Sequence, residues 1–151
     1  MRYYTHLAFS FLCGIFLVKY LPISNQILFI ALFLLFSLIP DIDKIGSKVS
    51  EKAKLVSWLI NFFVWHIGLF HSVWLPIILY MLLFMIRIDI AIAASFGYLS
   101  HLILDCFTVS GIKLLWPLQK KVRGFLKSGG LTEYFIFVLL VTADFYFLIN
   151  L

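Results

Sequence analysis

The chain carries little charge for its length. Of its 151 residues only 13% are charged, whereas 64% are apolar and the mean hydropathy is +1.08. A water-soluble domain carries about a quarter charged residues, because polar side chains must cover its core. The shortage of charge therefore excludes a disordered chain, a basic nucleic-acid-binding domain and an ordinary soluble domain. An integral membrane protein is the class that remains.

Cysteine is scarce as well, which excludes a disulfide-rich secreted scaffold. Cys13 and Cys106 both lie inside apolar runs, where a small buried thiol is the usual occupant. The apolar run at the amino terminus lacks a small-residue cleavage site, since Lys19 and Tyr20 stand where one would be expected. We expect this run to stay in the protein as its first membrane helix.

Long apolar runs are abundant. A helix needs roughly 20 apolar residues to cross a bilayer at 1.5 Å per residue. Five stretches predict an all-α fold, an integral membrane helical bundle of about five transmembrane helices in a single domain. The predicted spans are residues 3–20, 22–40, 67–86, 90–108 and 131–151. Residues 58–65, with a tryptophan at each end, are predicted to lie along the membrane interface.

Basic residues are distributed unevenly between the two sides that five spans define. Ten of the twelve lysines and arginines fall on one side: Arg2 and the basic residues of the connections 41–57 and 111–130. Only Lys19 and Arg87 fall on the other side. The positive-inside rule then makes the amino terminus and both connections cytoplasmic and the carboxyl terminus external. The sequence predicts a multi-pass protein of the inner (cytoplasmic) membrane.

The connection 111–130 combines five basic residues with leucines, Trp116 and Phe125. This mixture is typical of a segment that lies on anionic lipid headgroups, although it also fits a topology determinant that contacts no ligand. Membrane lipids, including anionic headgroups, are therefore the expected partners. No nucleic acid is expected, and the oligomeric state is not indicated.

Seven ionisable residues fall in or beside the predicted spans at the cytoplasmic leaflet, where each one is costly. They are His6, Asp41, Asp43, His66, His71, His101 and Asp105. His101 and Asp105 are four residues apart, so a helix places both on one face. Imidazole and carboxylate together suit zinc, manganese or iron, and the lack of thiolates disfavours a closed structural zinc site. A polar clasp between helices is the alternative.

The other acidic residues are given structural roles. Asp89 is predicted to pair with Arg87 in an outer loop, and Glu133 to lie near the cytoplasmic interface. Asp144 is expected to face the outer surface or to pair with Lys19 or Arg87.

Four motifs follow one another along the chain: "THLAFS", "PDID", "HIGLFHSVW" and "GYLSHLILDCFTVSGIKLLWP". In this order they resemble the YdjM-like family of membrane-bound metal-dependent hydrolases, which is distantly similar to zinc-dependent phospholipase C. The matching region runs over residues 5–117 and leaves out the fifth predicted span.

The resemblance implies a set of metal ligands, namely His6, Asp41, His71, His101 and Asp105. It also implies that Asp105 can bridge two ions, and that Asp43 and His66 act as the general base, as further ligands or as groups behind the ligands. One or two divalent ions, with zinc favoured, and no organic cofactor are expected. Where family members commonly have an arginine and a threonine, this chain has Ile67 and Phe70, so a cation for phosphate binding is missing there.

The sequence thus predicts a membrane-bound, metal-dependent hydrolase that acts on a phosphoester or lipid-type substrate at the cytoplasmic face. The metal would activate water while Asp43 or His66 takes the proton. The alternative is a non-enzymatic membrane protein whose polar cluster fixes helix packing and whose basic loops bind a cytoplasmic partner. An ion or proton pathway is disfavoured, because the outer halves of the spans are nearly free of polar residues.

Overall fold

The computed structural model describes residues 1–41 and 70–150, which form five α-helices and no extended strand. The helices are α1 (Tyr3–Tyr20), α2 (Gln26–Leu38), α3 (Trp74–Phe84), α4 (Ile88–Cys106) and α5 (Leu131–Ile149). A 3-10 turn, Ile39–Asp41, continues α2. The predicted all-α class is therefore confirmed for the described residues.

Helix α4 is the centre of the bundle and packs against α1, α2 and α3. Its buried side is built from small residues, among them Ala93, Ala94 and Gly97. A Cβ atom added at Gly97 would lie 2.3 Å from the carbonyl oxygen of Phe33, so α2 and α4 meet at backbone distance. Small residues permit this approach, which is how helices pack closely inside membranes.

Helix α5 packs against α1 and exposes most of its surface. The rings of Tyr4 and Phe137 meet edge to face near one end, and Lys19 donates to the carbonyl oxygen of Asn150 at the other. Large apolar side chains point away from the bundle, including Leu131, Phe135, Leu139, Phe145 and Ile149. An outward apolar surface of this kind is what a helix facing lipid presents.

Two helices, α4 and α5, are long and apolar enough to cross a membrane. Helices α2 and α3 have only 13 and 11 residues, and α1 has 18 residues but includes His6 and Lys19. Helix α3 starts at Trp74, and the backbone N–H of Val73, directly before it, donates to the carbonyl oxygen of Leu114. Within the described residues, helix length and composition thus support two membrane crossings, those of α4 and α5, and do not confirm all five predicted spans.

Asp144 differs from its prediction. It lies on the buried face of α5 together with Leu140 and is only 7% exposed. Among the described residues it pairs with neither Lys19 nor Arg87, because Lys19 binds a backbone carbonyl and Arg87 pairs with Asp89, as predicted. The prediction for Asp144 was wrong because hydropathy gives the length of a helix but not its rotation.

Candidate metal centre

Five polar side chains meet at one end of the bundle, because successive helices alternate in direction. Helix α1 begins at this end, the turn after α2 and helix α4 finish there, and the turn before α3 lies there too. These elements carry all five of the predicted metal ligands: His6, Asp41, His71, His101 and Asp105. The structure thus brings together side chains that lie up to 99 positions apart in the sequence.

Four of these side chains form a group that could bind a metal ion. Asp41, His71, His101 and Asp105 each offer one ligand atom, and the four atoms lie within 4.8 Å of one another. The Nε2 atom of His101 is 3.4 Å from Asp105 Oδ2 and 3.6 Å from Asp41 Oδ1. Two ligands on a tetrahedral zinc ion lie about 3.4 Å apart, given bonds of about 2.0–2.1 Å. The spacing therefore fits an ion between these atoms.

The ring of His101 is oriented as a metal ligand would be. Its Nδ1 atom lies 2.8 Å from the backbone carbonyl oxygen of Ser37, and a carbonyl only accepts, so Nδ1 carries the proton. The Nε2 atom then presents a lone pair towards the two carboxylates and, among the described residues, has no hydrogen-bond partner although it is buried. Ligating histidines usually donate their other N–H in this way.

His6 lies beside the four-residue group. Its ring stacks on that of His101 with centroids 3.9 Å apart, and its Nε2 atom is 3.4 Å from Asp105 Oδ1. The other oxygen of Asp105, Oδ2, faces His71 at 3.9 Å and His101 at 3.4 Å. Asp105 therefore offers one oxygen to each side. Both ring nitrogens of His6 are buried without a hydrogen-bond partner in the described part of the chain.

Two predicted residues, Asp43 and His66, lie outside the described residues, as does Ile67. Their predicted roles stay predictions. Phe70 lies within the structure, and its backbone carbonyl accepts a hydrogen bond from the Tyr98 hydroxyl. This bond holds the chain in place directly before His71.

Glu133 positions the site in a way that the sequence did not indicate. It is 1% exposed and accepts hydrogen bonds from the backbone N–H of Arg2 at 2.6 Å, from the Thr5 hydroxyl at 3.0 Å and from the backbone N–H of Gly129. Helix α5 thereby fixes the first turn of α1, which carries His6. An acidic residue in a first helical turn is a common signal, but it does not reveal a partner on another helix.

Comparison with known proteins agrees with the motifs. The family model described as YdjM inner membrane protein matches residues 1–150. This chain belongs to the YdjM family. The predicted membership of the YdjM family is therefore confirmed, and with it the membrane class. No solved structure matches the chain.

Two bacterial proteins are similar to this chain over most of its length. The uncharacterized protein YvsG of Bacillus subtilis is 34% identical over 115 residues, which cover 74% of this chain and 72% of the relative. The inner membrane protein YdjM of Escherichia coli is 29% identical over 131 residues, which cover 78% of this chain and 66% of the relative.

Replacement of Glu133 tests its positioning role. We expect Glu133→Ala to lower the free energy of unfolding by about 1–3 kcal/mol, because it leaves buried donors without an acceptor. Asp89→Ala is the matched control, since Asp89 also lies in a first helical turn but pairs with the half-exposed Arg87. Its cost should stay below about 1 kcal/mol. Thermal unfolding in detergent measures both, and equal losses would contradict the assignment.

Proposed function

We propose that this YdjM-family protein is a membrane-bound, metal-dependent hydrolase acting on a phosphoester or lipid-type substrate at the cytoplasmic face of the membrane. The observation that carries the proposal is the group of four ligand atoms within 4.8 Å of one another. Ionisable side chains at membrane depth are expensive, and those that persist mark functional sites. The names of the two relatives mention no activity. The proposed substrate class therefore rests on the side chains of the site and on the resemblance that the sequence motifs suggested.

The proposed ligands are Asp41, His71, His101 and Asp105. Because the second oxygen of Asp105 faces His6, the side chains suit one or two ions. Imidazoles and carboxylates without a thiolate favour zinc in a site that keeps a position for water or substrate. A divalent ion, when bound, lowers the pKa of water to about 7 and polarises a phosphoryl or acyl oxygen.

The chain's own residues have two tasks in the proposed reaction. The Ser37 carbonyl holds the His101 ring in its ligating orientation through the 2.8 Å hydrogen bond. Asp43 or His66 takes the proton of the attacking water as general base. Both candidates are close to proposed ligands in the sequence. Asp43 comes two residues after Asp41, and His66 comes five residues before His71.

A non-enzymatic role is the second candidate, and one observation favours it. Asp105 contacts His6, His71 and His101, so the cluster also ties three parts of the chain together. Polar contacts of this kind stabilise helix packing in membranes without any ion. In that case the basic loops would bind a cytoplasmic partner and the cluster would hold no metal.

The proposed topology has five crossings, with the cluster end of the bundle in the cytoplasm and the end of α5 outside. Arg2 and the five basic residues of 111–130 lie at the cluster end, whereas Lys19 and Arg87 lie at the other. The positive-inside rule supports this orientation.

Reporter fusions test the topology. Green fluorescent protein fused after Ser128 should fluoresce, because this protein folds only in the cytoplasm in such fusions. Alkaline phosphatase fused after Asn150 should be active, because it needs the outer side. A phosphatase fusion after Leu21 should also be active and serves as the control. The reverse pattern at Ser128 and Asn150 would overturn the orientation.

Metal content tests the proposed centre. We expect the purified wild type to carry about one or two divalent ions per chain, and the His101→Ala, Asp105→Ala double variant to lose them, because removal of two ligands leaves too few donors. Asp89→Asn, which removes a carboxylate at the opposite end of the bundle, should keep the wild-type content. Elemental mass spectrometry measures all three. A metal-free wild type, even after incubation with zinc, manganese and iron salts, would leave the cluster as a packing device.

Hydrolysis tests the proposed reaction. The zinc-loaded protein should release nitrophenol from bis(p-nitrophenyl) phosphate or a water-soluble phosphate from phosphatidylglycerol vesicles. His71→Ala should lower the rate by more than about 100-fold, since even residues behind a ligand cost 10- to 100-fold. Asp89→Asn should leave the rate unchanged. Loaded protein that turns over neither substrate would contradict the phosphoesterase proposal while leaving the metal centre intact.

A further inference from the structure

The stretch between α4 and α5, residues 107–130 (the α4–α5 connection), has five basic side chains and no acidic one. The basic residues are Lys113, Lys120, Lys121, Arg123 and Lys127. Among the residues that the structure describes, none of the five pairs with a carboxylate. Arg87, at the other end of the bundle, does have such a partner in Asp89. Within residues 1–41 and 70–150, the positive charge of the connection is therefore not paired with a carboxylate.

The connection also exposes apolar side chains that a water-facing loop would not favour. Phe125 is 80% exposed, Leu118 is 59% exposed and Leu115 is 49% exposed. The backbone holds this arrangement, because Ile112 and Val122 exchange two hydrogen bonds of 3.1 and 2.9 Å. The segment between those two residues is thus folded back on itself, with Leu114 packed against the core and Leu115 and Leu118 exposed. Exposed apolar residues among basic ones are the pattern of a membrane-contacting surface.

The α4–α5 connection is tied to the metal cluster. The hydroxyl of Thr108 donates to the backbone carbonyl oxygen of Asp105 at 2.7 Å. Further along, the carbonyl oxygen of Leu114 accepts from the backbone N–H of Val73 at 2.9 Å, two residues after His71. The basic surface is therefore attached to the parts of the chain that carry two of the proposed ligands.

We propose that the α4–α5 connection is a contact surface for anionic phospholipid headgroups. Its lysines and arginine would bind the phosphates, while Leu118 and Phe125 would enter the layer beneath them. An acidic protein would match the charge, but it would leave these apolar side chains unexplained. The lipid contact stands independently of catalysis. Only its further consequence, that headgroups gathered there lie beside the ligands, rests on the proposed function.

Hydrogen exchange of the full chain in lipid nanodiscs tests this contact. Peptides covering residues 113–127 should exchange about ten-fold more slowly in nanodiscs containing phosphatidylglycerol than in phosphatidylcholine alone, since each basic side chain near an anionic surface favours contact about five-fold. The Lys120→Gln, Arg123→Gln variant should lose most of this difference. The matched control is Lys19→Gln, Arg87→Gln, which removes the same charge from the opposite end and should keep the difference.

Three outcomes would overturn the lipid contact. Equal exchange in both lipids would do so. A difference that the Lys120→Gln, Arg123→Gln variant retains would also do so, because the preference for the anionic lipid would then not depend on these basic side chains. Protection that requires an added acidic protein would assign the surface to a protein partner instead. Metal content of the same samples separates the two proposals. Retained protection without metal would reject only the metal centre, and retained metal without protection would reject only the lipid contact.

Discussion

The close approach of α2 to α4 is the constraint on which the candidate metal centre depends. Both helices run towards the cluster. At Gly97 their backbones are so close that an added Cβ atom would lie 2.3 Å from the Phe33 carbonyl oxygen. Four residues further along each helix, about 6 Å nearer the cluster, the Ser37 carbonyl reaches His101 Nδ1 at 2.8 Å. A larger residue at position 97 would separate the helices and remove this bond. The glycine therefore sets the tautomer of a histidine one turn away.

Asp105 decides how the cluster can act. Its two oxygens face different histidines, and His101 Nε2 also lies near the carboxylate of Asp41. Two carboxylates and an imidazole lone pair repel one another in a buried site unless a cation lies between them. The ammonium group of Met1, 3.5 Å from Asp105 Oδ1, supplies a positive charge on the His6 side of this carboxylate. On the His101 side a bound divalent ion would remove the repulsion, whereas a purely structural clasp would need well-aligned hydrogen bonds from the histidines. The buried Nε2 atoms of His6 and His101 form none with the described residues, which favours the ion.

The sequence predicted what depends on local spacing. The pair His101 and Asp105 follows from the i, i+4 geometry of a helix, and the gathering of polar residues at one end follows from alternating helix directions. Contacts set by helix rotation could not be predicted in this way. Glu133 lies 128 positions from Thr5, and no periodicity in either helix indicates that they meet. The orientation of Asp144 and the folded shape of the α4–α5 connection depend on the same long-range packing.

The position of the cluster at the helix ends fits a substrate with a charged headgroup. A phosphoester would stay in the interfacial layer, whereas a site at the middle of the bundle would require its charge to enter the hydrocarbon at great cost. Helix α5 contributes to this end without supplying a ligand, because Glu133 holds the first turn of α1 and the Gly129 backbone that closes the connection. The same carboxylate therefore joins two parts of the chain at this end, the turn of α1 that carries His6 and the basic connection.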